Sequence, residues 1–251
     1  MAYLELNGQQ AADDICVLSF DADRQHMLKP SCALRYFQEI SDQHCAFYGC
    51  GHDELLRQNA VFLLVNVSMN IKRMPLFREN LKVVTWHRGR QTGVQFLRDN
   101  ILIDANGDTV VECAASWILV NPDTHRILRH NDMPAHMVPK KENGYIDNVR
   151  LGKIDTPKDM PLSGMRRIAY SDIDYNGHLN NCVYANFVMD SMPVPLDGKF
   201  VSKLDIYFCS EAVEGENLSV YAQQAGDWIY FRGEHARGKC FDARCELKDI
   251  K

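Results

Sequence analysis

At 251 residues, 46% hydrophobic and 24% charged, the chain has the length and composition of one large or two modest globular domains. Its 33 acidic and 28 basic side chains give a formal net charge of −5, which argues against a nucleic-acid binder whose affinity comes from a basic surface. No apolar run is long enough to span a bilayer, and the opening MAYLELNGQQAADD lacks a basic region followed by an apolar stretch, so a cytoplasmic protein without membrane contact is expected. The nine cysteines are odd in number and include no CxxC pair, which predicts free thiols in a reducing compartment and neither a zinc site nor a thioredoxin-like pair; no metal or organic cofactor is expected.

Residues 15–20 (ICVLSF) read as a short strand before the polar turn DADRQ. Helical spacing of Ala33, Tyr36, Phe37, Ile40 and Phe47 predicts a helix from Ser31 to about Tyr48, with Ser31 as its N-cap and Gly49 and Gly51 at its end. Strand-like runs follow at 61–71, 81–89, 93–104 and 109–121. The second half repeats this order more briefly: RRIAY, the turn SDIDYNGH, a helix from about Asn180 to Met192, and strands at 200–208, 217–224, 227–235 and 240–247.

Two segments match across the halves in the same order, Phe77–Leu81 over Glu214–Leu218 and Cys32–Phe37 over Cys182–Phe187, which points to an internal duplication. One helix followed by antiparallel strands, twice over, predicts an α+β protein of two tandem hot-dog units whose sheets join into one. The expected boundaries are residues 1–130, a linker at 131–164 rich in Pro and Gly, and residues 165–251. Two fused units already imitate a hot-dog dimer, so either a monomer or a homodimer fits.

The densest polar cluster is Asp172-Ile-Asp174-Tyr-Asn176-Gly-His178-Leu-Asn180-Asn181, just before the second predicted helix. Asp174, Asn176 and His178 alternate, so an extended segment puts them on one face, close to the N–H groups that open the helix. A carboxylate, an amide, an imidazole and backbone donors together suit acyl transfer to water. Asp and Asn are common turn residues, and any one of them alone reads as turn chemistry. The first half reads DADRQHMLKP at the matching turn, with Leu28 or its neighbour in place of His178, so the fold does not require the whole set.

DIDYNGHLNNCVYANFVMDS resembles the active-site segment of the acyl-ACP thioesterases of plants and bacteria, in which Asp-x-Asn-x-His runs into an Asn-Asn pair. DADRQHMLKPSCALRYFQEIS, TWHRG and SWILVNPDTHRILR resemble the same family, so the likeness extends over roughly 15–130 and 165–245. It implies hydrolysis of a fatty acyl thioester carried on acyl carrier protein, with Asp174, Asn176 and His178 as functional residues. A Glu on a later strand belongs to the family's set; Glu211 is the best match and lies over Met74 in the repeat, whereas Glu216 repeats as Glu79 and reads as structural. Plant members carry a Cys directly after this Glu, where this chain has Ala212. The residues leave open whether a carboxylate activates water or attacks the carbonyl itself. Acyl-CoA hydrolysis and a non-catalytic acyl-binding protein are the alternatives.

The acyl chain is expected in the first half, which lacks the polar set but is rich in bulky apolar residues. Leu34, Phe37, Phe62, Leu64 and Met69 are candidates to line its tunnel, although each alone reads as ordinary core.

Overall fold

The computed structural model describes residues 5–7, 10–92, 94–129 and 151–250. In chain order the elements are β1 (Glu5–Asn7), β2 (Gln10–Cys16), α1 (Pro30–Phe47), α2 (His52–Arg57), β3 (Val61–Ile71), β4 (Asn80–Thr92), β5 (Gln95–Ile103), β6 (Thr109–Val120), β7 (Ile127–Leu128) and β8 (Leu162–Arg167). After a single 3-10 turn at Tyr170–Asp172 come α3 (Val183–Asp190), β9 (Lys199–Phe208), β10 (Asn217–Ala225), β11 (Trp228–His235) and β12 (Gly238–Asp249).

All strands join one antiparallel sheet in the order β1-β2-β4-β5-β6-β3-β9-β12-β11-β10-β8, with β7 on β6. The order β2-β4-β5-β6-β3 is mirrored by β8-β10-β11-β12-β9, so the two halves meet strand to strand at β3 and β9. Asn66 faces Tyr207 there and Asn70 faces Lys203. This is the expected α+β fold, two tandem hot-dog units sharing a continuous sheet. The pairing removes the open edge that each unit alone would present.

α1 and α3 bury their apolar faces against this sheet in one core, which includes Phe37 and Ile40 from α1 and Phe187 and Val188 from α3. The buried positions of α1 (Ala33, Leu34, Phe37, Ile40, Ser41, His44) follow the three-and-four spacing of a helix face. No described helix is long and apolar enough to cross a membrane.

The duplication is visible in individual hydrogen bonds. Asp23 N–H donates to the Met27 carbonyl at 2.8 Å, as Asp174 N–H does to His178 at 2.9 Å. Leu28 N–H donates to Pro75 and Leu179 N–H to Ala212, both at 2.8 Å, while Val17 N–H to Glu79 and Ile168 N–H to Glu216 form a third pair. Met27 therefore stands where His178 stands, and Met74, before Pro75, stands for Glu211. Phe77–Leu81 does lie over Glu214–Leu218. The helix match is displaced by one residue, since Cys32 N–H bonds Lys29 as Val183 N–H bonds Asn180. That sets Cys32 over Val183 and not over Cys182.

Other expectations need correction. The first long strand is Gln10–Cys16, upstream of 15–20; its QAADD segment shows little apolar alternation, yet it pairs with β4 from Asn80 to Trp86. α1 starts at Pro30 with extended Lys29 as its N-cap, so Ser31 lies inside the helix. α2 and β7 were not foreseen. β8 begins at Leu162, within the span read as linker; residues 131–150 of that span lie outside the described residues. Residues 151–161 lie over the sheet, where Ile154 and Met160 are buried and Thr156 Oγ1 donates to Asp242 at 3.1 Å.

Candidate active site

The segment holding Asp174, Asn176 and His178 is a tight turn, not the extended segment the alternation suggested. The bond from Asp174 N–H to the His178 carbonyl closes it, and Gly177 N–H returns to the Asp174 carbonyl at 3.0 Å. Gly177 has φ +81, a conformation that suits glycine. The Asp174 carboxylate works inside the turn: Oδ1 accepts the N–H of Asn176 at 2.9 Å and of His178 at 3.4 Å. Asp23 does the same for Gln25 and Met27 at 2.8 and 3.0 Å. The first half thus keeps the aspartate, its turn and an amide, with Gln25 in place of Asn176, and lacks the imidazole and glutamate at the matching places.

The turn presents His178 to a second loop. His178 Nε2 lies 3.1 Å from Glu211 Oε2, with the side chains 38% and 46% exposed, so both reach solvent or a substrate. Among the described residues no hydrogen bond joins the Asn176 side chain to either of them. Tyr175 is exposed and meets His52 of α2 edge-on at 4.9 Å, tying the turn to the first half.

Two residues that the sequence reading missed fix the Glu211 backbone. Arg237 N–H donates to His235 Nδ1 at 3.2 Å, so Nε2 of His235 carries the proton and donates to the Glu211 carbonyl at 3.1 Å. The Arg237 guanidinium donates to that carbonyl at 2.9 Å and to both Glu216 oxygens at 2.8 and 3.0 Å. Hydrogen bonds from Arg237, with the Val213 N–H assisting, lower the Glu216 carboxyl to about 2. Glu79 repeats this loop-bracing role, accepting from Leu76 N–H and Arg73. An Arg and a His in the β11–β12 hairpin carry no local motif, so only the folded chain reveals them.

Backbone donors at the start of α3 are mostly taken. Leu179 N–H bonds Ala212, Asn180 N–H bonds Asp172, Val183 N–H bonds the Asn180 carbonyl and Cys182 N–H the Asn180 side chain. Asn181 N–H has no acceptor among the described residues. Counting from the paired turns, its counterpart is Pro30, which has no N–H to give.

A pocket holding about 410 Å³ of empty space, part of it open to solvent, lies at the start of α3. Asn181, Cys182 and Phe208 line it from the second half, and Leu34, Phe37, Leu64, Val67, Ala115 and Trp117 from the first. Ser41, Arg98 and Asn100 add polar groups. Of the five expected lining residues, Leu34, Phe37 and Leu64 border this cavity. Phe62 instead packs against Phe96 and Trp117, and Met69 is 1% exposed in the main core.

The acyl-ACP thioesterase N-terminal domain family model matches residues 9–135, and the C-terminal domain model matches residues 159–240. The chain belongs to the acyl-ACP thioesterase family. It is similar to a chloroplastic palmitoyl-acyl carrier protein thioesterase of Cuphea hookeriana, 20% identical over 190 residues that cover 70% of this chain and 45% of the relative. The Arabidopsis thaliana protein of the same description is 24% identical over 187 residues, 69% of this chain and 44% of that one. The chain spans about half the length of these relatives. Its fold matches the 12:0-ACP thioesterase from Umbellularia californica with a TM-score of 0.84 at 16% identity, covering 98% of this chain and 100% of the other. An acyl-ACP thioesterase from Bacteroides thetaiotaomicron gives 0.82 at 17% identity, covering 96% and 98%.

Within this thioesterase family the chemistry is hydrolysis of an acyl thioester on a hot-dog fold. A cysteine nucleophile after Glu211 or at the start of α3 has no support in the geometry. Ala212, after Glu211, is fully buried, and burial pushes the Cys182 thiol up to about 12, so at neutral pH it stays protonated.

Proposed function

We propose that the protein hydrolyses fatty acyl-ACP thioesters to a free fatty acid and ACP in the cytoplasm, with residues 1–130 holding the acyl chain and residues 165–251 carrying the chemistry. The observation that carries this reading is the His178–Glu211 pair, 3.1 Å apart near an apolar cavity, where the first half has Met27 and Met74. Glu211 is the group we assign to draw a proton from water, with His178 aligning its carboxylate and the water by hydrogen bonds. The oxygen of water attacks the thioester carbonyl carbon, and the developing oxyanion takes the Asn181 N–H. Collapse breaks the C–S bond, and the thiolate of the phosphopantetheine arm receives the proton held by Glu211. Asp174 shapes the turn that delivers His178, and exposed Asn176 contacts the polar head of the substrate.

Both ACP and CoA present the same phosphopantetheine arm, so the carrier is read by the surface around the cavity. Rates on acyl-ACP and acyl-CoA of matched chain length test the assignment: a kcat/KM advantage for ACP is expected. Equal or better hydrolysis of the CoA ester reassigns the carrier. Acyl binding without release of fatty acid makes the protein a carrier or sensor and ends the hydrolase reading.

A further inference from the structure

At the C-terminal end of α1 a buried cation is surrounded by neutral groups. Arg98 on β5 is 3% exposed. Its guanidinium donates to His44 Nδ1 at 3.1 Å, to Thr85 Oγ1 at 2.9 Å and to Cys45 Sγ at 3.2 Å, and it contacts His87 Nε2. Burial and the adjacent guanidinium bring His44 down to about 3 and lower His87 too, so neither imidazole carries charge at neutral pH. No carboxylate among the described residues is within hydrogen-bond reach of Arg98. A buried cation is costly without an anion, and of the four groups it touches only the Cys45 thiol can supply one.

The local backbone places a second thiol against the first. α1 ends in a reversal in which Gly49 adopts φ +68, Gly49 N–H bonds the Ala46 carbonyl at 3.0 Å and Cys50 N–H bonds the Cys45 carbonyl at 2.9 Å. In this helix-ending motif the side chains at the two bonded positions ordinarily make an apolar contact. Here both are cysteines. Cys50 Sγ lies 3.3 Å from the Cys45 carbonyl oxygen, and a hydrogen bond from Cys50 is the largest influence holding the Cys45 thiol well below its usual range, with Arg98 and His87 adding to it. Cys50 is pushed the opposite way. Taken as whole residues, Cys45 is partly exposed and Cys50 is buried.

We propose that Cys45 and Cys50 form a redox-active thiol pair, in which Cys45 is the thiolate that attacks a hydroperoxide and Cys50 is the thiol that resolves the product. Cys45 sulfur attacks the nearer peroxide oxygen, the O–O bond breaks, and an alkoxide or hydroxide leaves, so Cys45 becomes a sulfenic acid and the peroxide is reduced. Cys50 sulfur then attacks Cys45 sulfur, the S–O bond breaks, and the hydroxyl leaves as water with the Cys50 proton. The pair loses two electrons and Arg98 loses its anion. Because Arg98 also lines the cavity, the disulfide alters one wall of that space. Besides Arg98 (β5), His87 (β4) and His44 (α1), the charged groups that bear on the pair are Asp42 of α1 and Glu54 of α2.

The pair lies within one tryptic segment, Tyr36–Arg57, so mass spectrometry of the full chain reads its state directly. With the reduced protein near neutral pH, iodoacetamide should alkylate Cys45 at least about tenfold faster than Cys209, the exposed cysteine that serves as internal control. Stoichiometric hydrogen peroxide should remove two hydrogens from that segment, reversibly by dithiothreitol. Cys50→Ser should stop at a sulfenic acid trapped by a carbon nucleophile such as dimedone, and Cys45→Ser should abolish the reaction. Alkylation of Cys45 no faster than Cys209, or peroxide oxidation elsewhere with this segment left reduced, overturns the proposal. Neither readout depends on thioester hydrolysis, so the pair and the thioesterase reading stand or fall separately.

Discussion

Replacing Asn181 by proline removes an N–H at the start of α3 that no described residue accepts, and the first half shows that the backbone tolerates it. Pro30 occupies the matching place, after a Lys29 whose N–H bonds the Asp21 carbonyl and whose carbonyl accepts from Cys32. Asn180 makes the same two bonds, to Asp172 and from Val183. Proline in the first turn of a helix gives up only a donor that has no helical partner, and it narrows the unfolded ensemble. Asn181→Pro should therefore melt within a few degrees of the parent. Losing one preorganised donor to an oxyanion costs about 10²–10³ in kcat, or roughly 3–4 kcal/mol. Asn181→Ala keeps the N–H, so it reports the side chain alone and should lose far less. The assay is kcat and KM on a matched acyl thioester for the parent and both variants, with circular dichroism melts beside them. Equal losses in the proline and alanine variants, with both folded, would show that Asn181 N–H does not hold the oxyanion.

His178→Ala and Glu211→Gln should each lower kcat by about 10² or more with the melting temperature kept, and the double variant should fall little further because the two act as a unit; additive losses in steady-state rates would separate them. Asp174→Asn keeps an acceptor for the turn and should retain more activity and stability than Asp174→Ala, whereas Cys182→Ala should remain active; equal inactivation of the two Asp174 variants would give its charge a direct part in the chemistry. Ala115→Leu adds three carbons to the cavity wall, so chains that fill the space lose about 2.4 kcal/mol of burial, near 50-fold in kcat/KM, while shorter chains are spared. Leu64→Ala should shift the product profile the other way, and a uniform change over all lengths would mean that the chain lies elsewhere. His44 sets an acid limit: its folded value of about 3 lies below the ordinary 6.5, the unfolded chain binds the extra proton, and stability falls by up to about 1.4 kcal/mol per pH unit from pH 6.5 towards 3. Denaturant titrations of His44→Gln should show a shallower slope over that window, and an unchanged slope would remove His44 as the cause.

How much of this was legible in the sequence depends on how local each signal is. β3, β6 and β9–β12 are long runs of β-branched and bulky residues bounded by turns, and they stand close to where the pattern put them. β2 was displaced because both faces of Gln10–Cys16 carry an aspartate, Asp13 between Ala11 and Ile15 and Asp14 between Ala12 and Cys16, so no apolar alternation registers; what holds it is pairing with β4, which no local pattern encodes. α2 is six residues long, too short for a period to register. The linker span concealed β8, whose six residues are mostly exposed and which exists because β10 offers an edge.

The site shows a sharper division. His178 and Glu211, the pair we propose for the chemistry, stand out in the sequence because the two halves differ at those places, and a difference between repeats at matching positions points to chemistry more directly than composition does. The same comparison says less about Asp174. At residue level the first-half turn looked as though it had lost the whole set, but Asp23 receives the same two backbone N–H groups and closes the same turn. An aspartate that both copies need for shape cannot be assigned to catalysis by its presence in one. Asn181 is the converse case. Its side chain drew attention as half of an Asn-Asn pair, yet the contrast with the first half lies in its backbone, where one copy has a free N–H and the other has proline. At the proposed site the two copies thus differ by one imidazole, one carboxylate and one peptide hydrogen, set on a frame that both copies build in the same way.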